Sequence, residues 1–293
     1  MKIIDRLNQN KINISFEIFP PKTDEGYESV RNAAEKIAAL APAFISVTYG
    51  ASGGTSKNTA GIAGYIKNEL GVESLAHLTC ASSTKAEVMQ VIDDLQKKQI
   101  ENILALRGDI PEDAAFPGEG QYQYAADLVA AIKQKGDFCI GAACYPEGHV
   151  ECESKADDIK HLKQKVEAGV DFLTTQMFFD NSIHYNFLYR IREQGIDVPV
   201  LPGIMPVTSG KQMKRICQLS GTVLPERFRA IVEYFGNNPK AMAQAGIAYA
   251  TEQIIDLIAN DVRNIHIYSM NKPEIASAIM ENLSEIIRED NGF

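Results

Sequence analysis

Apolar residues along this chain recur in two alternating rhythms. Eight short runs are rich in β-branched and aromatic residues: NISFEIF (13–19), FISVTYG (44–50), SLAHLTC (74–80), NILALRG (102–108), FCIGAAC (138–144), FLTTQMF (172–178), VPVLPGI (198–204) and NIHIYSM (264–270). Such runs predict strands. Between them apolar residues repeat at three- and four-residue spacing, as in Val88, Val91, Ile92 and Leu95 or in Leu162, Val166 and Val170, which predicts amphipathic helices. After the first strand the next six begin at intervals of 31, 30, 28, 36, 34 and 26 residues, and the last follows at 66. A βα unit repeated at that length predicts a parallel sheet with crossover helices. Eight units favour closure into a (β/α)8 TIM barrel over an open doubly wound sheet. The long last interval leaves room for extra helices around 225–234 and 238–258. No glycine-, serine- or proline-rich linker divides the chain, so residues 1–293 are expected to form a single barrel domain.

Composition agrees with that class. The 293 residues suit an α/β barrel, which needs roughly 250. The hydrophobic share of 45% and charged share of 23% are globular values. A net charge of −9 repels a phosphate backbone, so nucleic acid is not an expected partner. The cysteines (Cys80, Cys139, Cys144, Cys152 and Cys217) are odd in number and form no C-x-x-C pair, which points to reduced thiols and a cytoplasmic location. The start carries charges and amides where a signal peptide has its apolar stretch. The most apolar window, Ile37 to Thr48, has 12 residues and contains Pro42, too short to span a bilayer. Expected partners are therefore small molecules and copies of the same chain.

In a barrel of this type chemistry sits at the carboxyl ends of the strands. Those ends carry Glu17, Thr48 with Tyr49, His77 with Thr79, Arg107 with Asp109, Tyr145, Gln176, and Tyr268 with Asn271. Each interrupts or closes an apolar run. Glu17 is the sharpest: it stands inside SFEIF just before Pro20 and Pro21. A poorly hydrated carboxyl among aromatic neighbours favours its neutral form, which suits a general acid, although a structural ion pair is the competing expectation. In Arg107-Gly108-Asp109 the two charges either pair with each other or face a ligand. The glycine-rich stretch from Gly50 to Lys57 fails both the Walker spacing and G-x-G-x-x-G, so a plain βα turn is expected there. His149-Val-Glu-Cys152 is the one tempting ligand cluster; His77, His161, His184 and His266 are scattered, and no metal site is expected. Tyr185, Phe187, Leu188 and Ile191 read as a packing stripe.

Taken in order, SFEIFPPK (15–22), SVTYGA (46–51), AHLTC (76–80), ALRGD (105–109), AACYPEGH (142–149), TTQMFFD (174–180), LPGIMPV (201–207) and HIYSMNK (266–272) resemble the methylenetetrahydrofolate reductase family through nearly the whole chain. The likeness is to the short bacterial form, the catalytic barrel without a regulatory domain. The resemblance implies non-covalent FAD, NADH or NADPH as hydride donor, and 5,10-methylenetetrahydrofolate as acceptor, in a ping-pong cycle that supplies methyl groups to methionine. By similarity the cofactor contacts are Thr48, His77, Arg107, Gly108, Asp109, Tyr145, His149, Asp158, His161 and Lys165. Substrate contacts are Glu17, Gln176, Gln212, Ile216 and Lys272. Glu17 is expected to protonate the folate, and Asp109 to sit beside the flavin. Four positions depart from the best-known bacterial members: Ile216 replaces a phenylalanine, Gln164 an arginine, His161 an asparagine and Lys272 an arginine. The rival enzyme on such a barrel is proline dehydrogenase. Other classes weighed are a phosphate-binding isomerase or aldolase and a non-catalytic flavin-binding electron-transfer subunit. No dinucleotide fingerprint is present from which to choose the nicotinamide.

Overall fold

The computed structural model describes residues 1–21, 23–49, 56–110 and 116–290. The glycine-rich stretch from Gly50 lies largely outside the described residues, and its expected turn with it. Strands β1 (Asn13–Ile18), β2 (Ile45–Val47), β3 (Ser74–Thr79), β4 (Asn102–Leu106), β5 (Cys139–Cys144), β6 (Phe172–Thr175), β7 (Val200–Leu201), β8 (Gly203–Ile204) and β9 (Asn264–Ile267) form one sheet. Its order is β7-β6-β5-β4-β3-β2-β1-β9-β8, and every pairing is parallel. Strands β7 and β8 are one strand broken at Pro202, which has no N–H to give to a ladder. The first half pairs with β6 and the second with β9, so the ring closes through this interrupted strand. The Pro202 carbonyl still accepts from His266 N–H at 3.0 Å. The fold is thus an α/β barrel of the TIM type.

Helices α1 (Ile3–Leu7), α2 (Tyr27–Ala38), α3 (Ser56–Asn68), α4 (Lys85–Lys97), α5 (Ala125–Lys135), α6 (Lys155–Glu167), α7 (Asn181–Glu193), α8 (Gly210–Ser220), α9 (Glu226–Phe235), α10 (Pro239–Ala259), α11 (Pro273–Asn282) and α12 (Ser284–Asp290) complete the chain. Local sequence starts many of them. Thr84 and Glu87 form a reciprocal capping box for α4, and Ser154, Asp180, Ser209 and Asn238 cap α6, α7, α8 and α10. The helices expected before the last strand are α9 and α10, and α8 is an additional one. The Tyr185–Ile191 stripe packs as expected, with Phe187 and Ile191 buried. No helix among the described residues is long and apolar enough to cross a membrane. All five cysteines are free thiols.

Strand alternation divides the core into two layers. Ile14, Phe16, Ile18, Ala76, Leu78, Ile103, Ala105, Ile265 and Ile267 face the helices and join the main core. The floor inside the barrel is built by Phe44, Leu75, Leu104, Cys139, Phe172 and Leu201, closed from below by Ile3 and Leu7 of α1. Gly141 makes room there: a Cβ would stand 2.6 Å from the Phe172 ring and 2.9 Å from Leu104. Above this floor the inward positions turn polar.

Candidate active site

The inward row of β1 reads Asn13, Ser15, Glu17, and that of β9 reads Asn264, His266, Tyr268 just beyond its end. In both, the apolar residues take the outer face. Register sets Ser15 beside His266 and Glu17 beside Ser46. His266 Nδ1 lies 2.8 Å from Ser15 Oγ and Nε2 lies 3.2 Å from Ser46 Oγ. Ser15 spends its proton on the Ile265 carbonyl at 3.1 Å, so it accepts from Nδ1–H and Ser46 donates to Nε2.

Glu17 stands above these groups, with only 11% of its side chain exposed. Its Oε2 is 3.6 Å from His77 Nε2 and 4.0 Å from His266 Nε2, contacts rather than hydrogen bonds. Burial pushes His77 down to about 4, against the opposing pull of Glu17, so near neutral pH it is uncharged and the contact is not an ion pair. His77 Nε2 is buried with no partner. Tyr268 donates to the Thr175 carbonyl at 2.6 Å, and burial, then Glu17, hold its phenol well above the ordinary range. The strand end is fixed from both sides. Ser269 Oγ donates to the Glu17 carbonyl at 2.8 Å, while the Asn271 amide accepts from Phe19 N–H at 2.7 Å and donates to Phe19 O at 3.0 Å.

A second group of residues covers the ends of β3 to β5. Gly108 has φ +84°, and a Cβ there would come within 2.9 Å of Thr79. Only glycine brings the backbone so close to the end of β3. Arg107 and Asp109 on either side do not pair with each other. Arg107 forks onto Glu151 at 2.5 and 2.7 Å, and Asp109 is exposed without hydrogen bond or ion pair among the described residues. Tyr145 meets His149 edge-on at 4.6 Å between ring centres, and burial pushes its phenol up to about 12. Burial also lowers His149 and raises Asp158, which Lys165 opposes. Lys165 donates to the Ala143 carbonyl at 2.6 Å, with its ammonium lowered by burial. Among the described residues no group of three or more His, Cys, Asp or Glu could hold a metal ion.

On the opposite rim, Gln176 uses Oε1 to accept from Met177 N–H at 3.2 Å, leaving its amide NH2 as the group to offer a ligand. Lys272 donates to Thr208 Oγ1 at 2.6 Å, beside the capping Ser209 of α8. Gln212 is exposed on the first turn of α8. Ile216, one turn on, is half-buried against the cluster of Met177, Phe179 and Met213.

The family model for methylenetetrahydrofolate reductase matches residues 2–284. The chain belongs to the methylenetetrahydrofolate reductase family. The 5,10-methylenetetrahydrofolate reductase of Salmonella typhimurium is 37% identical over 276 residues, covering 94% of this chain and 92% of that protein. The Escherichia coli protein of that name is 36% identical with the same coverage. A plant relative, methylenetetrahydrofolate reductase (NADH) 1 of Arabidopsis thaliana, is 35% identical over 98% of this chain, which spans 51% of it. Among solved structures, a Clostridium thermocellum protein described as binding two copies of 5-methyl-5,6,7,8-tetrahydrofolic acid has a TM-score of 0.63, 17% identity and coverage of 97% and 98%. That likeness concerns the fold.

The residues that the sequence resemblance singled out fall on one end of the barrel. Thr48, His77, Arg107, Gly108, Asp109, Tyr145 and His149 are on or directly after β2 to β5, with Asp158 and Lys165 on α6 behind them. Gln176, Gln212, Ile216 and Lys272 follow β6, β8 and β9, and Glu17 is the last inward residue of β1. His161 is on the outer edge, exposed, with Nδ1 3.8 Å from the Cys152 thiol. Two cavities of about 490 and 240 Å³ lie elsewhere, against Lys85, Tyr122 and Asp127, and against Tyr27, Arg31 and Tyr65. Neither touches a strand-end group. Sequence reasoning missed Ser15, Ser46, His266 and Glu151. The first three had a signal, since N-I-S-F-E, I-S-V-T and N-I-H-I-Y put polar residues at every second position of a strand. Glu151 had none, because its partner is 44 residues away.

Proposed function

We propose that this chain reduces 5,10-methylenetetrahydrofolate to 5-methyltetrahydrofolate, using hydride that NADH or NADPH delivers through bound FAD in two half-reactions at one mouth. The observation that carries the proposal is Glu17, a desolvated carboxyl at the mouth of a reductase-family barrel, held between two imidazoles. The residues present fit a flavin dinucleotide. Arg107 and Lys165 supply positive charge for a pyrophosphate, Gly108 offers bare backbone, and His77 Nε2 is an orphaned buried polar atom. Bound FAD supplies the two-electron hydride chemistry that no side chain performs.

The protein's own groups do the rest. Opening the folate's five-membered ring to an electrophilic iminium requires a proton on a nitrogen, and Glu17 is the donor. Asp109 places negative charge where it stabilises the cation that forms. Gln176 offers its amide to the pterin edge, with Gln212, Ile216 and Lys272 on the same rim. His77, Thr48, Tyr145, His149 and Asp158 line the cofactor side, with His161 at its outer edge.

Purification tests the proposal directly. The protein should be yellow and yield FAD on extraction. Its visible band should bleach anaerobically with NADH or NADPH and return when methylenetetrahydrofolate is added. Colourless protein that takes up no added FAD contradicts the proposal.

A further inference from the structure

The best-formed ion pair in the mouth joins a residue that the family resemblance assigns to one that it does not. Arg107 Nη1 donates to Glu151 Oε2 at 2.5 Å and Nη2 to Oε1 at 2.7 Å, while Nε donates to the Gly108 carbonyl at 3.3 Å. Two parallel bonds fix the plane of the guanidinium, which one contact to a lysine would not do. A guanidinium has five N–H donors. These bonds take three, so two remain for a ligand. Arg107 is the more buried partner, with 23% of its side chain exposed against 53% for Glu151. The carboxylate therefore covers the arginine from the solvent side.

Glu151 reaches a second mouth residue through its backbone. Its N–H donates to His149 Nδ1 at 3.2 Å, which puts the ring proton on Nε2, and His149 in turn holds Tyr145 edge-on. One position on the loop between β5 and α6 thus ties together Arg107, His149 and Tyr145.

We propose that Glu151 is a positioning residue for the flavin dinucleotide: its carboxylate aims Arg107 at the anionic part of the cofactor while leaving two of its donors open. This role rests on the flavin reading above. It differs from competition, in which the carboxylate would occupy the seat of the cofactor's phosphate and have to leave. The two predict opposite signs when the charge is removed.

The test uses full-length, flavin-loaded protein. FAD affinity is read from recovery of flavin fluorescence on dilution, for wild type, Glu151→Gln, Arg107→Ala and the double variant. Glu151→Gln should weaken FAD binding tenfold or more, and should change it less than threefold once Arg107 is already alanine. The far-UV spectrum of Glu151→Gln should match wild type, since the altered side chain is on the surface. Unchanged affinity, tighter binding, or an equal loss in both backgrounds would overturn the role. A wild type that binds no FAD refutes the flavin reading itself. A wild type that binds it while Glu151→Gln does so equally well refutes only the role of Glu151.

Discussion

Burial acts on the histidines of this barrel one at a time. His77 is kept uncharged beside Glu17, with its Nε2 buried and without a hydrogen-bond partner. His184, in α7, is a second case. Its imidazole is fully buried, stacks on Phe178 at 5.2 Å with the rings 4° from parallel, and has neither nitrogen satisfied. Burial pushes it down to about 4, whereas an unfolded histidine titrates near 6.5. Between those values the unfolded chain takes up a proton that the folded chain refuses, so stability is intact above the unfolded value and falls as pH drops through the window. At pH 5 the loss from this one group is about 2 kcal/mol. His184→Phe keeps the stack and removes the titration. Urea unfolding at pH 7 and pH 5 should therefore show the gap in stability narrowed by about 2 kcal/mol relative to wild type. An unchanged gap would mean that His184 finds a proton partner or solvent.

The strands show how an element serves packing and chemistry at once. Outer positions of β1, β3 and β9 are largely apolar and lock onto helices, whereas inner positions are polar all along β1 and β9 and climb in β3 from Leu75 on the floor to His77 and Thr79. Gly141 in β5 belongs to the floor, where Phe172 and Leu104 leave no room for even a methyl group. Gly141→Ala should cost about 1–3 kcal/mol by overpacking, read as a lower urea midpoint. A rise, as expected for glycine replacement at an open strand position, would contradict the packing described. The start of each element was legible from the sequence, because a run of β-branched residues states where a ladder begins. Most ends were not. FCIGAAC and VPVLPGI stop with their strands, but the other runs extend past the last strand residue, as in FLTTQMF, where pairing ends at Thr175 and Gln176 opens the mouth. Side chains such as Met177 and Phe178 stay buried in loops and imitate strand continuation. Pro202 likewise splits a strand that reads as continuous.

For the whole molecule, the ring brings together residues from 15 to 272 in sequence, and their family and order were readable before their contacts were. What the sequence could not show were side-chain pairings between neighbouring strands and their loops: Arg107 with Glu151, His266 between two serines, and Lys272 with Thr208. Such contacts depend on strand order and register, which no local pattern encodes. The proposed cycle gives one mouth two tasks, and Glu17 serves only one of them. Flavin reduction by a nicotinamide needs no proton donor toward folate, whereas iminium formation does. Glu17→Gln keeps shape and hydrogen bonding but cannot act as an acid. Anaerobic stopped-flow absorbance at the flavin band measures both half-reactions in the same protein. Flavin reduction in Glu17→Gln should stay within about tenfold of wild type, while reoxidation by methylenetetrahydrofolate should slow by about 10²-fold or more, the scale for losing a general acid. If both half-reactions slowed equally, Glu17 would be a flavin-positioning or structural residue and the central assignment would be wrong.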